Sequence, residues 1–222
     1  MFNGFPEEGL NFLFALEQNN NRTWFTDNRT IYKDYVEAPA KKFLDEMINR
    51  LPEITKTPIK GKIFRIHRDI RFSKDKTPYN PHVRMLFSCA NSRKHDCGSE
   101  PSFYFSLSPQ KITIGAGSYQ FPKETLESYR YKINAEYTGS ELENLLNSFV
   151  EKPNFTIAPP ELKRIPTGFT KDHPREHLLR KKGLVVWYEY KDLKTISTPK
   201  IADEIFNKFK DMQPLYEWVQ DL

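Results

Sequence analysis

The sequence predicts an α+β fold, a mostly antiparallel sheet of about five strands flanked by N-terminal and C-terminal helices. Three observations lead there. Apolar residues recur at helical spacing towards both ends of the chain, the middle alternates with period two, and the strand-like stretches follow one another across turn-sized gaps. With 222 residues, 38% hydrophobic and 14% aromatic, the chain can bury one large core, so a single domain over residues 1–222 is expected and disorder is excluded. There is no internal repeat and no low-complexity tract.

Pro6 followed by Glu7 and Glu8 suits a first helical turn, and Leu10, Leu13 and Phe14 continue it until Asn19-Asn20-Asn21 interrupts. A longer helical pattern runs from about Asn28 to Leu51, with Ile31, Tyr35, Phe43 and Met47 on one stripe; Pro39 should bend or split it. Arg22-Thr23-Trp24-Phe25 places large rings at the junction, where packing is their expected role. From Lys62 to Ser73 the period becomes two, which predicts a strand with Phe64, Ile66, Arg68, Ile70 and Phe72 on an apolar side and Arg65, His67, Asp69 and Arg71 on a wet one. Val83 to Cys89 predicts a second strand, and Phe103 to Leu107 with Ile112 and Ile114 a hairpin turning at Pro109-Gln110. Strands that are neighbours in sequence pair antiparallel by default.

Helical spacing returns at about Pro122 to Asn134 and again from Ser140, where Ser140 and Glu143 form a capping-box pattern. Pro153 to Pro166 reads as irregular chain, Asp172-His173-Pro174 as the start of a short helix closed by Gly183, and Leu184 to Tyr188 as a strand. Thr198-Pro199 begins a C-terminal helix carrying Ile201, Ile205, Phe209 and Met212, restarted after Pro214 for Trp218. The first residues lack a basic start with a long apolar run, and no stretch approaches a membrane span, so a cytoplasmic protein without a membrane partner is expected.

Charge is distributed unevenly. Lys60 to Arg84 holds eight basic residues against two acidic, a net of +6, whereas the whole chain carries 34 against 29. The remainder is therefore nearly neutral, and the excess points to a site for an anion. Arg65, Arg68 and Arg71 are candidates to bind it, Asp69 to orient a guanidinium, Lys74 and Lys76 to add field in the turn, and Tyr79 to contribute a ring. Arg68 falls among apolar neighbours, where it would need either a buried acid or an opening into a pocket. A possible second patch comprises His173, His177 and Arg180; the two histidines lie four residues apart, on one helical face.

Several functional classes find no support. Gly115-Ala116-Gly117 lacks the third glycine and the βαβ unit of a dinucleotide site, and there is no Gly-Lys-Ser/Thr phosphate loop, no His-Glu-x-x-His and no Gly-x-Ser-x-Gly. Cys89, His95 and Cys97 lack a fourth partner and zinc spacing, so no metal site is expected, and the sequence leaves any cofactor open. Glu189-Tyr190-Lys191 has the Glu-x-Lys form of many metal-dependent nucleases but is too short to carry an assignment.

Phe2 to Pro6, Asn19 to Phe25, Arg65 to Tyr79, Gly115 to Gly117, and Leu162 to Lys182 resemble the 2461 family of domains of unknown function. The most specific element is Arg-x-x-Arg-Asp-x-Arg-Phe-Ser-Lys-Asp-Lys-Thr-Pro-Tyr, Arg65 to Tyr79; the loop Asn91 to Glu100 departs from the pattern. The resemblance implies a single-domain cytoplasmic α+β protein, mainly bacterial, and supplies no catalytic residues. Three readings stand side by side: a domain, with or without enzymatic activity, holding an anionic small molecule or nucleotide at Arg65 to Tyr79; a nucleic-acid-binding module in which Tyr79 and Tyr104 stack on bases; and a structural or partner-binding protein whose arginines form internal ion pairs.

Overall fold

The computed structural model describes residues 1–91 and 99–222. Helix α1 (Glu7–Gln18) starts after an extended Pro6 and places Glu7 and Glu8 against the positive end of its dipole. Gly9, Phe12, Leu13 and Leu16 form its buried stripe. Helix α2 (Arg22–Asp27) is capped by Asn21, whose side chain accepts the Trp24 N–H at 3.0 Å. A short α3 (Arg29–Ile31) runs through a π-helical segment (Tyr32–Glu37) into α4 (Ala38–Arg50), followed by α5 (Pro52–Thr55).

Pro39 does not break this helix. A proline has no N–H for the carbonyl four residues back and clashes with it, and the turn ahead of Pro39 has widened into the i→i+5 pattern, with the Ala38 N–H bonded to the Lys33 carbonyl. The Tyr35 carbonyl instead faces Gly9, where an added Cβ would lie 2.2 Å from its oxygen. Glycine at position 9 thus lets α1 approach the π-helical segment.

The sheet has six antiparallel strands among the described residues: β1 (Ile59–Ile63), β2 (Val83–Cys89), β3 (Ser102–Leu107), β4 (Ile112–Ser118), β5 (Phe155–Ile157) and β6 (Leu184–Tyr190). Their order is β1-β2-β3-β4-β6-β5, so the expected meander is present and the expected mixed α+β class is observed. The short β5 lies within the stretch expected to be irregular; three residues give too little alternation to be read. Helices α6 (Lys123–Asn134) and α7 (Glu136–Val150) follow β4, α8 (Glu176–Leu179) precedes β6, and α9 (Lys200–Gln220) closes the chain.

Two helix signals need correction. Helix α7 begins at Glu136, so Ser140 lies inside it and donates to Glu136 Oε1 at 3.1 Å instead of capping. Helix α9 passes unbroken through Pro214, which sits on its exposed side, where the carbonyl released at Lys210 meets solvent.

One face of the sheet carries the core. Val83, Met85 and Phe87 align with Leu107, Phe105 and Phe103, then with Ile112, Ile114 and Ala116, and all are buried. Phe5 stacks on Phe105 with ring centres 5.8 Å apart, and Phe103 lies between Tyr216, stacked at 4.8 Å, and Phe209 at 4.9 Å. Truncating a ring held like Phe103 to alanine costs about 3–5 kcal/mol. The other face, with Arg84, Leu86, Tyr104 and Trp187, remains half-buried.

The strand expected over Lys62 to Ser73 ends at Ile63. The Phe64 N–H still bonds the Arg84 carbonyl at 2.9 Å, and in this register Arg65 stands opposite Val83, the first residue of β2, so beyond Arg65 no β2 residue remains to pair. The chain pairs with itself instead, through a single bridge between His67 and Tyr79. Arg65, His67, Asp69 and Arg71 therefore do not share a strand face, and the alternate positions part company: Ile66 is 8% exposed and Phe72 is 95% exposed.

Candidate anion site

The Arg65–Tyr79 segment forms a loop closed at its base. The Arg68 N–H bonds the Pro78 carbonyl at 2.8 Å and the Asn80 N–H bonds the Ile66 carbonyl at 2.7 Å. Asn20, from the turn between α1 and α2, fixes this clasp from outside: its Nδ2 donates to the Tyr79 carbonyl at 2.9 Å and its Oδ1 accepts the Tyr79 N–H at 3.0 Å. The Tyr79 ring is buried and stacks on Phe25, with centres 4.1 Å apart and planes 15° from parallel, while His67 packs at 5.1 Å. The rings at the α2 junction thus pack as expected, and their neighbour is the basic loop.

Inside the loop most charges are already matched. Arg68 bonds Asp75 and Thr77 and reaches Ser73 Oγ at 3.4 Å, so its acid partner lies in the same loop and not in a buried apolar face. The Thr77 backbone N–H, then Arg68, hold the Asp75 carboxyl at about 2. Arg71 grips Asp69 in a two-point pair at 2.9 and 2.7 Å, which holds Asp69 at about 2. Lys76 donates to the Ile70 carbonyl at 2.9 Å. Lys74 is exposed and forms no ion pair among the described residues.

Arg65 and His67 point elsewhere. They border a cleft of about 420 Å³ between the loop base and the helical segments from α2 to α4, together with Arg29, Tyr32, Lys33 and His82. Arg29, Lys33 and Arg65 are exposed and make no ion pair among the described residues. The cleft's carboxylate, Glu37, is matched by Lys41 at 3.0 Å. Burial, with Glu37 adding to it, pushes the Tyr32 hydroxyl up to about 12, so it remains a hydrogen-bond donor at neutral pH. Burial, then the charges of Arg84 and Arg68, push His82 down to about 4, which leaves a neutral ring in a positive surrounding.

Arg29, Tyr32 and Lys33 carry a signal that sequence reasoning passed over, since their spacing of three and four places them on one helical face. His82 gave no local signal. Its position depends on the loop returning the chain to β2.

A family model described as "Conserved hypothetical protein (DUF2461)" matches residues 8–218. The chain belongs to the DUF2461 family. No curated protein matches it.

The second expected patch of this DUF2461 protein is dispersed. His173 Nδ1 accepts the Arg175 N–H at 3.0 Å just ahead of α8, which starts two residues beyond the expected opening. Arg180 is paired with Glu176 at 2.7 Å, and His177 borders a separate pocket of about 210 Å³ with Lys181 and Glu143. Gly183 is required by a close approach, because a Cβ there would lie 2.1 Å from the Tyr119 carbonyl oxygen. The basic loop leaves β1 at the Ile63–Met85 end of the sheet, whereas α8 enters β6 at the Leu184–Ser118 end. Four strand spacings separate β1 from β6, about 19 Å. The two patches of the DUF2461 chain therefore stand at diagonal corners.

Among the described residues no group of three His, Cys, Asp or Glu is placed to hold a metal. Cys89 is a free thiol, and His95 and Cys97 lie outside the described residues. Gly115 and Gly117 lie within β4, and Glu189 pairs with Lys111. No described helix is long and apolar enough to cross a membrane.

Proposed function

We propose that the protein binds a phosphate-bearing small molecule in the cleft bordered by Arg29, Lys33 and Arg65. The observation that carries this reading is the set of three cations without acidic partners among the described residues, around a cleft of about 420 Å³. Small-molecule sites occupy about 300–1,000 Å³ and combine apolar walls with a few polar groups, a description that Phe25, Val36 and Ala40 beside the cations fit. An anion here would exchange water for charge-assisted hydrogen bonds, of which each contributes about 1.5–3 kcal/mol. Arg68, Asp69 and Arg71 shape the loop that presents Arg65, and Lys74 and Lys76 add to the field.

Calorimetric titration with pyrophosphate tests the proposal. Binding should weaken about ten-fold or more in Lys33→Ala and Arg65→Ala, each removing one charge-assisted contact, and change little in Lys74→Ala, whose ammonium is outside the cleft. Absence of heat and of any thermal shift with pyrophosphate, at low and moderate salt, rejects the site. If a single-stranded oligonucleotide binds with a steep salt dependence and pyrophosphate does not, the nucleic-acid reading replaces it.

A further inference from the structure

The sheet face turned away from the core holds a cavity of its own. A trough of about 400 Å³ is bordered by Phe64, Arg84, Leu86, Tyr104, Gly115 and Trp187. Leu86, Tyr104, Gly115 and Trp187 form one cross-strand row through β2, β3, β4 and β6. Arg84, two residues before Leu86, projects to the same side from β2.

The row contains a corner. Gly115 has no side chain, and a Cβ there would lie 2.5 Å from the Trp187 ring, so the indole lies across the bare backbone of β4. Tyr104 meets it at 89° with ring centres 5.5 Å apart, a wall beside a flat floor. Covering a glycine with a cross-strand ring is a structural device in its own right. It accounts for the floor but for neither the open volume nor the charge beside it.

That charge is Arg84. Its guanidinium makes no ion pair and no hydrogen bond among the described residues; it lies 5.3 Å from the centre of the Phe64 ring. Its field reaches the corner, because burial pushes the Tyr104 hydroxyl up against the opposing effects of the Ser106 hydroxyl and the Arg84 charge. The tyrosine therefore stays protonated at neutral pH, and Arg84 is the charged residue bordering the trough. The carboxylate on this side of β6, Glu189, is matched by Lys111. The indole covers β4 and Arg84 rises from β2, two strand spacings or about 10 Å away. A ring carrying an acidic group on a short arm spans the part of that gap which the arginine side chain leaves.

We infer that the trough binds a planar aromatic monoanion, an aryl carboxylate, with its ring on Trp187 against Tyr104 and its carboxylate on Arg84. Apolar walls with a few placed polar groups make a small-molecule site, and here the walls are two perpendicular rings and the polar group is one cation without an acid. One cation matches one negative charge, which distinguishes this ligand from the phosphate of the Arg65 cleft. The inference does not depend on the phosphate-binding reading of that cleft.

Calorimetric titration with cinnamate tests it, beside cinnamyl alcohol, which has the ring without the charge, and cyclohexylpropionate, which has the charge without the aromatic ring. Cinnamate should bind tightest of the three. Arg84→Met should weaken it about 10- to 150-fold, the range of one charge-assisted hydrogen bond. The same variant should bind cinnamyl alcohol as the wild type does, which also shows that it is folded. Trp187→Leu and Tyr104→Leu should weaken cinnamate and the alcohol alike, by about 2- to 12-fold, and Tyr104→Leu does so without uncovering Gly115. If cinnamate binds no tighter than cyclohexylpropionate, or Arg84→Met leaves its affinity unchanged, the inference is overturned. Absence of cinnamate binding overturns it as well, and a dimer that Tyr104→Asp dissociates in light scattering would then assign the face to a second copy of the chain.

Discussion

The hydrogen bonds between Asn20 and Tyr79 join segments 59 residues apart, and Asn20→Ala removes both. Their lengths, 2.9 and 3.0 Å, are those of well-formed amide bonds. A net contribution of about 1 kcal/mol each is the ordinary value, and truncation also strands the Tyr79 N–H and carbonyl. Both groups are only partly buried, and water that reaches them limits the added penalty, so the total is about 2–3 kcal/mol. In a protein of this size 1 kcal/mol moves the midpoint by about 2–4 °C, which predicts a fall in Tm of about 4–12 °C. Scanning calorimetry measures it. Asn20→Asp keeps an acceptor for the Tyr79 N–H but sets a carboxylate against the Tyr79 carbonyl, so it should do no better than alanine. Because the clasp fixes the loop base that carries Arg65, pyrophosphate affinity should fall in both variants. A midpoint within 1 °C of wild type for Asn20→Ala would refute the idea that Asn20 holds the loop.

Gly9→Ala should force α1 away from the Tyr35 carbonyl, 2.2 Å from the new Cβ, at a cost of about 1–3 kcal/mol; an unchanged Tm would show that the helices yield freely. His82 has a folded pKa of about 4 against 6.5 when unfolded, so its contribution is present above pH 6.5 and is lost as pH falls through 4. Allowing for its partial exposure, that contribution is on the order of 1 kcal/mol, and His82→Gln should flatten the stability profile between pH 7 and pH 4, measured by denaturant melts; equal slopes would refute it. Arg175, 3% exposed, donates to the Ile133 carbonyl at 3.0 Å and bonds Ser140 and Glu136. Arg175→Met should strand that buried acceptor at a cost of about 1–3 kcal/mol, visible as a Tm lower by about 2–12 °C, whereas an unaltered midpoint would mean the carbonyl finds another donor.

The sheet was legible where alternation coincides with burial on a partnered strand. Val83 to Cys89 and the Phe103 to Ile114 hairpin alternate because one side faces α9 and the other does not. Lys62 to Ser73 alternates equally well and still leaves the sheet, because residue type shows which faces a strand could have but not whether a neighbour remains to pair. The length of β2, set some twenty residues later, decided that point. For the candidate site, charge density singled out the loop from Arg65 to Tyr79 but could not show that Asp69 and Asp75 engage Arg71 and Arg68 within it. Arg29 and Lys33 come from a segment far away in sequence, and only the folded chain brings them beside Arg65.

The π-helical segment sets the phase of the cleft. In an uninterrupted α-helix twelve residues separate Arg29 from Lys41, and at about 100° per residue they would stand about 120° apart around the axis. One extra residue taken up in a wide turn subtracts about 100° and returns Lys41 to within about 20° of Arg29, in agreement with both residues bordering the same cleft. Pro39 therefore acts at a distance from its own ring: by holding the preceding turn open, it determines which cations on the two halves of a long helix look in the same direction.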